Sequence, residues 1–260
     1  MATAAAPPPV QARLSRPRDG LFLSACALLF AASVAGTVAW CGADCCGSVP
    51  MPGGWELSAC WRLLPGQSWL PAAASFVGMW AVMMPAMMLP SITPTLLRYR
   101  RSRGGGTAAR VGLGYFLVWT LLGALIYPVG AGVAGAGCRF PDIARVLPVA
   151  AAGLILLAGV FQWTPWKLRQ LGCCREAPES LLASPEQTGI RLGLRCAFCC
   201  LGFTATLLAT GAMSLTVMTV LTAAITAERL APRPPVVARA LGIVAMAWGS
   251  LALIRSVGLL

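Results

Sequence analysis

Sulfur is the reactive chemistry this chain carries in quantity. Of its 10 methionines, five (Met79, Met83, Met84, Met87 and Met88) fall within one stretch of ten residues. On a helix, Met79, Met83 and Met87 form one stripe and Met84 and Met88 the adjoining one, because residues four apart lie one above another. Thioethers are soft, neutral ligands that suit Cu(I), and they need no deprotonation to bind it. Pro85, in the middle, removes a backbone hydrogen bond and is expected to bend the helix, freeing carbonyls beside the methionines. The same stripe also reads as packing, since methionine is a flexible filler of apolar cores.

Cysteine supplies the second group. Cys196, Cys199 and Cys200 are three and four residues apart, a spacing that places all three on one helical face. Thiolates bind Cu(I) or zinc strongly, and Arg195 next door favours the thiolate form. As small hydrophobes in a buried helix, the three cysteines have a second reading without chemistry. Cys173 and Cys174 are adjacent in a basic segment and read as a thiol pair, because a bond between neighbours is strained. Cys41, Cys45, Cys46 and Cys60 form a further set, open to structural disulfides or to capture of an incoming metal ion. The total of 11 cysteines leaves at least one thiol unpaired.

Histidine is absent altogether, which removes Ser-His-Asp and Cys-His catalysis, His-ligated haem and His-based zinc or iron sites. Carboxylates are scarce too. None lies within an uncharged run and Glu228 only borders one, so a proton-coupled transporter with an intramembrane acid is not supported.

The elements that must position this sulfur are apolar. Of 260 residues, 58% are hydrophobic and 11% charged, with a mean hydropathy of +0.76. A soluble domain carries about a quarter charged residues, so a soluble enzyme is excluded. The net charge of +12 reads as basic loops on a membrane protein, with no polar domain to bind nucleic acid.

Uncharged runs long enough to cross a bilayer are Leu21–Trp40, Gln67–Leu97, Val111–Gly137, Val146–Trp166 and Ala240–Ile254. Cys196–Ala227 is uncharged over 32 residues. As one helix it would measure roughly 48 Å against a hydrocarbon core of about 30 Å, so a break near Gly211 is expected to give two short helices. The expected fold is thus an all-α polytopic transmembrane bundle of six or seven spans. Residues 1–20 would be a basic, Pro- and Ala-rich cytoplasmic tail, and residues 21–260 one transmembrane domain with an outer cysteine-rich loop at 41–67.

Orientation follows the basic residues. The N-terminal arm, the Arg98–Arg110 loop and the Lys167–Arg195 loop fall on one side if every run crosses once, and that side should be the cytoplasm. The segment with Arg229, Arg233 and Arg239 joins them only if Cys196–Ala227 is two spans, which favours seven with the N-terminus inside.

Three ordered motifs resemble the bacterial predicted metal-binding multispanning integral membrane protein family, which includes copper chaperones for tyrosinase-type oxidases. Trp80–Pro94 (WAVMMPAMMLPSITP) is similar to its Met-rich second-helix signature. Phe161–Arg175 (FQWTPWKLRQLGCCR) resembles its helix-end signature. Arg191–Met218 looks like its Cys-rich span, with Glu228–Arg229 as the acid-base pair that follows. The chain is a divergent member by this pattern: the family has cysteine at Gln170, a cysteine pair at Phe203 and Thr204, histidine at Cys196 and methionine at Leu208. The ligand set that the resemblance implies is Met83, Met84, Met87, Met88, Cys174, Cys200, Met213 and Met218, with Cys196 and Cys199 as compensating donors.

These readings together imply a multi-pass protein of the bacterial cytoplasmic membrane that is not an enzyme. It would bind Cu(I) and deliver or move it for an extracytoplasmic copper-dependent oxidase. Two alternatives stand beside this one. One is a membrane thiol–disulfide relay from Cys173 and Cys174 to the outer cysteines, and the other a metal-free permease or assembly factor in which Met and Cys only pack.

Overall fold

A computed structural model describes residues 17–42, 48–51, 55–58, 61, 68–175, 184–211 and 214–258. The described residues form helices α1 (Pro17–Gly42), α2 (Trp69–Arg103), α3 (Gly105–Arg139), α4 (Pro141–Phe161), α5 (Pro165–Arg175), α6 (Pro185–Cys199), α7 (Leu201–Thr210), α8 (Leu215–Leu230) and α9 (Pro234–Ser256). One short antiparallel ribbon, β1 (Ser48–Met51) with β2 (Trp55–Ser58), sits between α1 and α2 in the chain, with Val49 opposite Leu57.

Five helices, α1, α2, α3, α4 and α9, are long and apolar enough to cross a membrane, and the bent pair α6–α7 makes a sixth. The side chains of α3 show how such a helix is built. Val111, Tyr115, Trp119 and Tyr127 recur every four or eight residues and are buried. Leu113, Leu117, Leu121 and Leu125, on the opposite face, are each at least 50% exposed. An apolar face turned outward over three turns belongs in hydrocarbon and not in water. Exposed aromatics mark both ends of the bundle: Trp69 and Phe140 at one, Trp163 and Trp166 at the other.

The basic segments collect at the second end. Arg101 pairs with Asp19 at the start of α1 (2.9 Å), Arg110 with Glu186 at the start of α6 (3.6 Å), and the Arg239 guanidinium lies 5.9 Å from the Trp163 ring. The segment before α9 therefore shares an end with the turn from α2 to α3 and with α5. That grouping arises because Cys196–Ala227 is broken, as its length requires. Gly211 adopts φ +110°, a left-handed conformation that suits glycine, and Ser214 caps α8 by accepting from Val217 N (3.4 Å).

Helix α2 continues through Pro85, Pro90 and Pro94. Two features differ from the sequence reading. A second break, a 61° bend, separates α6 from α7 at Cys199–Cys200. The expected Lys167–Arg195 loop contains α5 and the start of α6, and Lys167 is fully buried. Local sequence explains the new elements. Thr164 receives Lys167 N (3.3 Å) ahead of Pro165, a good first residue for a helix. Ser184 and Gln187 form a reciprocal capping box at the start of α6.

Two kinds of contact hold the bundle. Glycines let backbones touch between α3 and α6 and between α4 and α9. A Cβ on Gly189 would strike the Val111 carbonyl oxygen, and one on Gly193 would lie 2.9 Å from the Tyr115 carbonyl oxygen. Such small-residue crossings are how helices associate in lipid, where no hydrophobic drive separates them from their solvent.

The other contact is an ion pair. Lys167 Nζ on α5 lies 2.8 Å from Glu228 Oε1 on α8, with both side chains withdrawn from solvent. It also donates to the Cys199 carbonyl oxygen at the end of α6 (2.5 Å) and lies 5.1 Å from the Phe203 ring on α7. One ammonium thus ties four helices at the α6–α7 break. Glu228, in the last turn of α8, is therefore a buried, paired acid.

Two stability tests follow from these contacts. Gly189→Ala should destabilise the detergent-solubilised protein by about 1–3 kcal/mol, because the added methyl meets backbone. Gly135→Ala, with nothing within 4 Å of the new atom, should leave its thermal midpoint unchanged. Lys167→Met should cost about 3–5 kcal/mol by stranding Glu228, and adding Glu228→Leu should recover only part of that loss, because the Cys199 carbonyl still lacks its donor. Thermal unfolding of the four variants checks both.

Candidate metal centre

Met83 lies 14 residues into α2, roughly 21 Å from its start at 1.5 Å per residue, and so near mid-bundle. Met79, Met83, Met84, Met87 and Met88 are all buried, so both stripes point inward. They can do so because α2 is a central helix, packed against α1, α3 and α8. Its register is fixed by Trp80, whose Nε1 donates to the Trp119 carbonyl oxygen (2.9 Å) and whose ring fills the space left by Gly123.

A second group of sulfurs lies at the α6–α7 break. Cys196 Sγ is 2.8 Å from the Tyr115 hydroxyl and 4.0 Å from Cys200 Sγ, and all three groups are buried. Cys200 occupies the bend itself, with φ −94° and ψ 8°. Met218, one turn into α8, is buried against the same region. Met79, Met83, Met84, Met87, Met88, Cys196, Cys200 and Met218 belong to one continuous apolar cluster together with Tyr115 and Leu207.

Cys199 is placed differently from its two neighbours. It packs with Leu171 and Ala238 in a second cluster, and its Sγ lies 3.6 Å from Lys167 Nζ. Helical spacing alone suggests one face for all three cysteines. The bend and the pull of Lys167 on the Cys199 carbonyl turn this residue toward α5 and α9. Cys174 falls within α5 at a position whose side chain is not described, and Met213 lies outside the described residues. The same holds for Cys45, Cys46 and Cys60 of the outer loop, and for the Cys173 side chain.

Polar groups border the sulfur. Ser91 Oγ donates to the Met88 carbonyl oxygen (2.9 Å), and Arg229 Nη1 on α8 lies 3.4 Å from Ser91 Oγ. Arg229, Lys167, Tyr115 and Ser91 were not singled out as site residues from the sequence. A lysine flanked by Trp166 and Leu168, directly after the uncharged run that ends at Trp166, is the signal that could have flagged Lys167.

The donors suit copper better than a hard ion. Among the described residues, no three Cys, His, Asp or Glu side chains come together as a metal-holding group. Thioethers and thiols are a soft donor set, better matched to copper than to magnesium or calcium. A separate apolar cavity of about 560 Å³, lined by Trp61, Leu125, Val129, Leu154 and Leu208, contains none of these methionines or cysteines.

A family model described as PpoB2, copper chaperone, matches residues 77–252. No curated protein and no solved structure matches the chain. The matched segment opens just before Met79 and closes within α9, so it takes in every helix that contributes to the sulfur cluster and to the Lys167–Glu228 pair. A match over more than half the chain places it: the protein belongs to the PpoB2 copper chaperone family.

Proposed function

We propose that the protein holds Cu(I) within the bilayer, between the methionines of α2 and the thiols at the α6–α7 break, and passes it to a copper-dependent oxidase outside the cytoplasm. The observation that carries this reading is that Met83, Met84, Met87, Met88, Cys196, Cys200 and Met218, from α2, α6, the α6–α7 bend and α8, all lie in the same buried core. Met83 and Met87 would receive the ion as neutral donors, and Cys196 and Cys200 would close the site from the facing side.

Chemistry supports a chaperone that works inside the membrane. A neutral thioether accepts Cu(I) without an unbalanced charge in hydrocarbon, whereas carboxylate ligands would have to be ionised there at high cost. A bend at Cys200 gives the site a movable wall, because a broken helix can shift its two halves separately. Orientation supports outward delivery. The basic ends of α2, α3, α5 and α9 lie together, and such clustering marks the cytoplasmic face. Trp61, Trp69 and Cys138 would then stand at the outer mouth.

Titration of the purified full chain with Cu(I) against a chromogenic chelator tests the assignment. Wild-type protein should bind the ion, and Cys200→Ser should weaken binding by at least ~100-fold, the upper end of what an outer-shell change costs. Met83→Leu with Met87→Leu should also lower affinity and leave the fold intact, since Leu and Met have similar volume. Unchanged stoichiometry and affinity in both variants would falsify the site. Deleting the gene should lower the activity of the partner copper oxidase, and excess copper in the medium should restore it.

A further inference from the structure

Tyr115 is a phenol where a phenylalanine would pack as well. It is fully buried on α3, in a core of methionines, leucines and tryptophans, and its ring meets Phe116 edge-on with centroids 5.0 Å apart. A buried hydroxyl is costly unless it finds a partner. Here the partner is sulfur: Tyr115 Oη lies 2.8 Å from Cys196 Sγ. The approach is built into the backbones, since α3 and α6 cross so closely that a Cβ on Gly193 would lie 2.9 Å from the Tyr115 carbonyl oxygen.

In the metal-free protein either group can donate, O–H to sulfur or S–H to oxygen. Metal removes that freedom. A cysteine binds copper as the thiolate, which has no proton to give, so the bond then runs from Tyr115 to Cys196. The sulfur of Cys200, 4.0 Å from that of Cys196, is in the same state once it too is a ligand and offers no donor. An anionic sulfur in hydrocarbon is costly without a hydrogen bond, and a bond to a charged acceptor is roughly twice as strong as a neutral one. We infer that Tyr115 is the thiolate-stabilising residue of the copper site, its O–H donating to Cys196 Sγ in the loaded state.

This inference rests on the copper site proposed above and assigns to it a residue that does not touch the metal. Tyr115 acts through Cys196 as a positioning residue, in the way that outer partners hold and tune the ligands of other metal sites.

Ag(I), a redox-stable stand-in for Cu(I), titrated against the full chain in lipid nanodiscs, tests it by a double-mutant cycle. Tyr115→Phe deletes one oxygen, keeps the ring, and should weaken Ag(I) binding by about 10–100-fold. Cys196→Ser should weaken binding as well, and in that background Tyr115→Phe should cost nothing further, because the thiolate it serves is gone. Tyr115→para-aminophenylalanine restores a donor at the same place and should recover most of the affinity. Infrared difference spectra with isotope-labelled tyrosine give a readout that packing alone does not move. The chain has three tyrosines, and Ag(I) should shift the phenol C–O band of one of them, a change absent from Tyr115→Phe.

Wild-type affinity in Tyr115→Phe, or an equal loss in the Cys196→Ser background, overturns the inference while the copper site stands. Loaded wild-type protein with no shifted tyrosine band overturns it without recourse to any variant. Wild-type protein that binds no Ag(I) overturns the copper site itself, and this inference with it.

Discussion

The ammonium of Lys167 is the contact on which the rest of the arrangement depends. Breaking a helix inside a membrane exposes carbonyl groups that no water can satisfy, and each orphaned group costs several kcal/mol. At the α6–α7 break the exposed carbonyl is that of Cys199, and Lys167 donates to it. A lone ammonium would be as expensive as the carbonyl it caps, so Glu228 from α8 stands 2.8 Å away to balance it. The break, the cation and the acid stabilise one another, and none is tenable alone.

The placement of sulfur follows from that break. A straight helix through Cys196–Cys200 would keep three thiols on neighbouring strips of one face. The 61° bend sends Cys199 to the side of Lys167 and leaves Cys196 and Cys200 facing the core. Tyr115 then fixes Cys196 from α3, which the glycine crossings at Gly189 and Gly193 bring within hydrogen-bonding distance. What α2 contributes is simpler. Its methionines face inward because Trp80 locks the helix against α3.

Much of this was legible in the sequence, and the limits have physical causes. Long uncharged runs define spans because hydrocarbon thickness is fixed, and the inward methionine stripes follow from a four-residue period. The break at Gly211 was forced by length. Lys167 was not legible, because a lysine after a helix end reads as a loop cation, and only the partner 61 positions along, Glu228, makes its burial affordable. The second break at Cys200 was equally hidden. Gly202 stands two residues beyond it, but the contact from α5 to the Cys199 carbonyl is one that no local pattern contains. The lack of histidine had already narrowed metal chemistry towards sulfur, and the family match supports the association with copper.

The central claim is that sulfur alone from this cluster holds Cu(I) inside the membrane. X-ray absorption at the copper edge, on the full chain loaded with Cu(I) in nanodiscs, tests it most directly. The account predicts a low-coordinate Cu(I) shell made of sulfur, and loss of sulfur scattering when Cys196 and Cys200 are both replaced by serine. A shell dominated by nitrogen or oxygen, or one that the double replacement leaves unchanged, would contradict it.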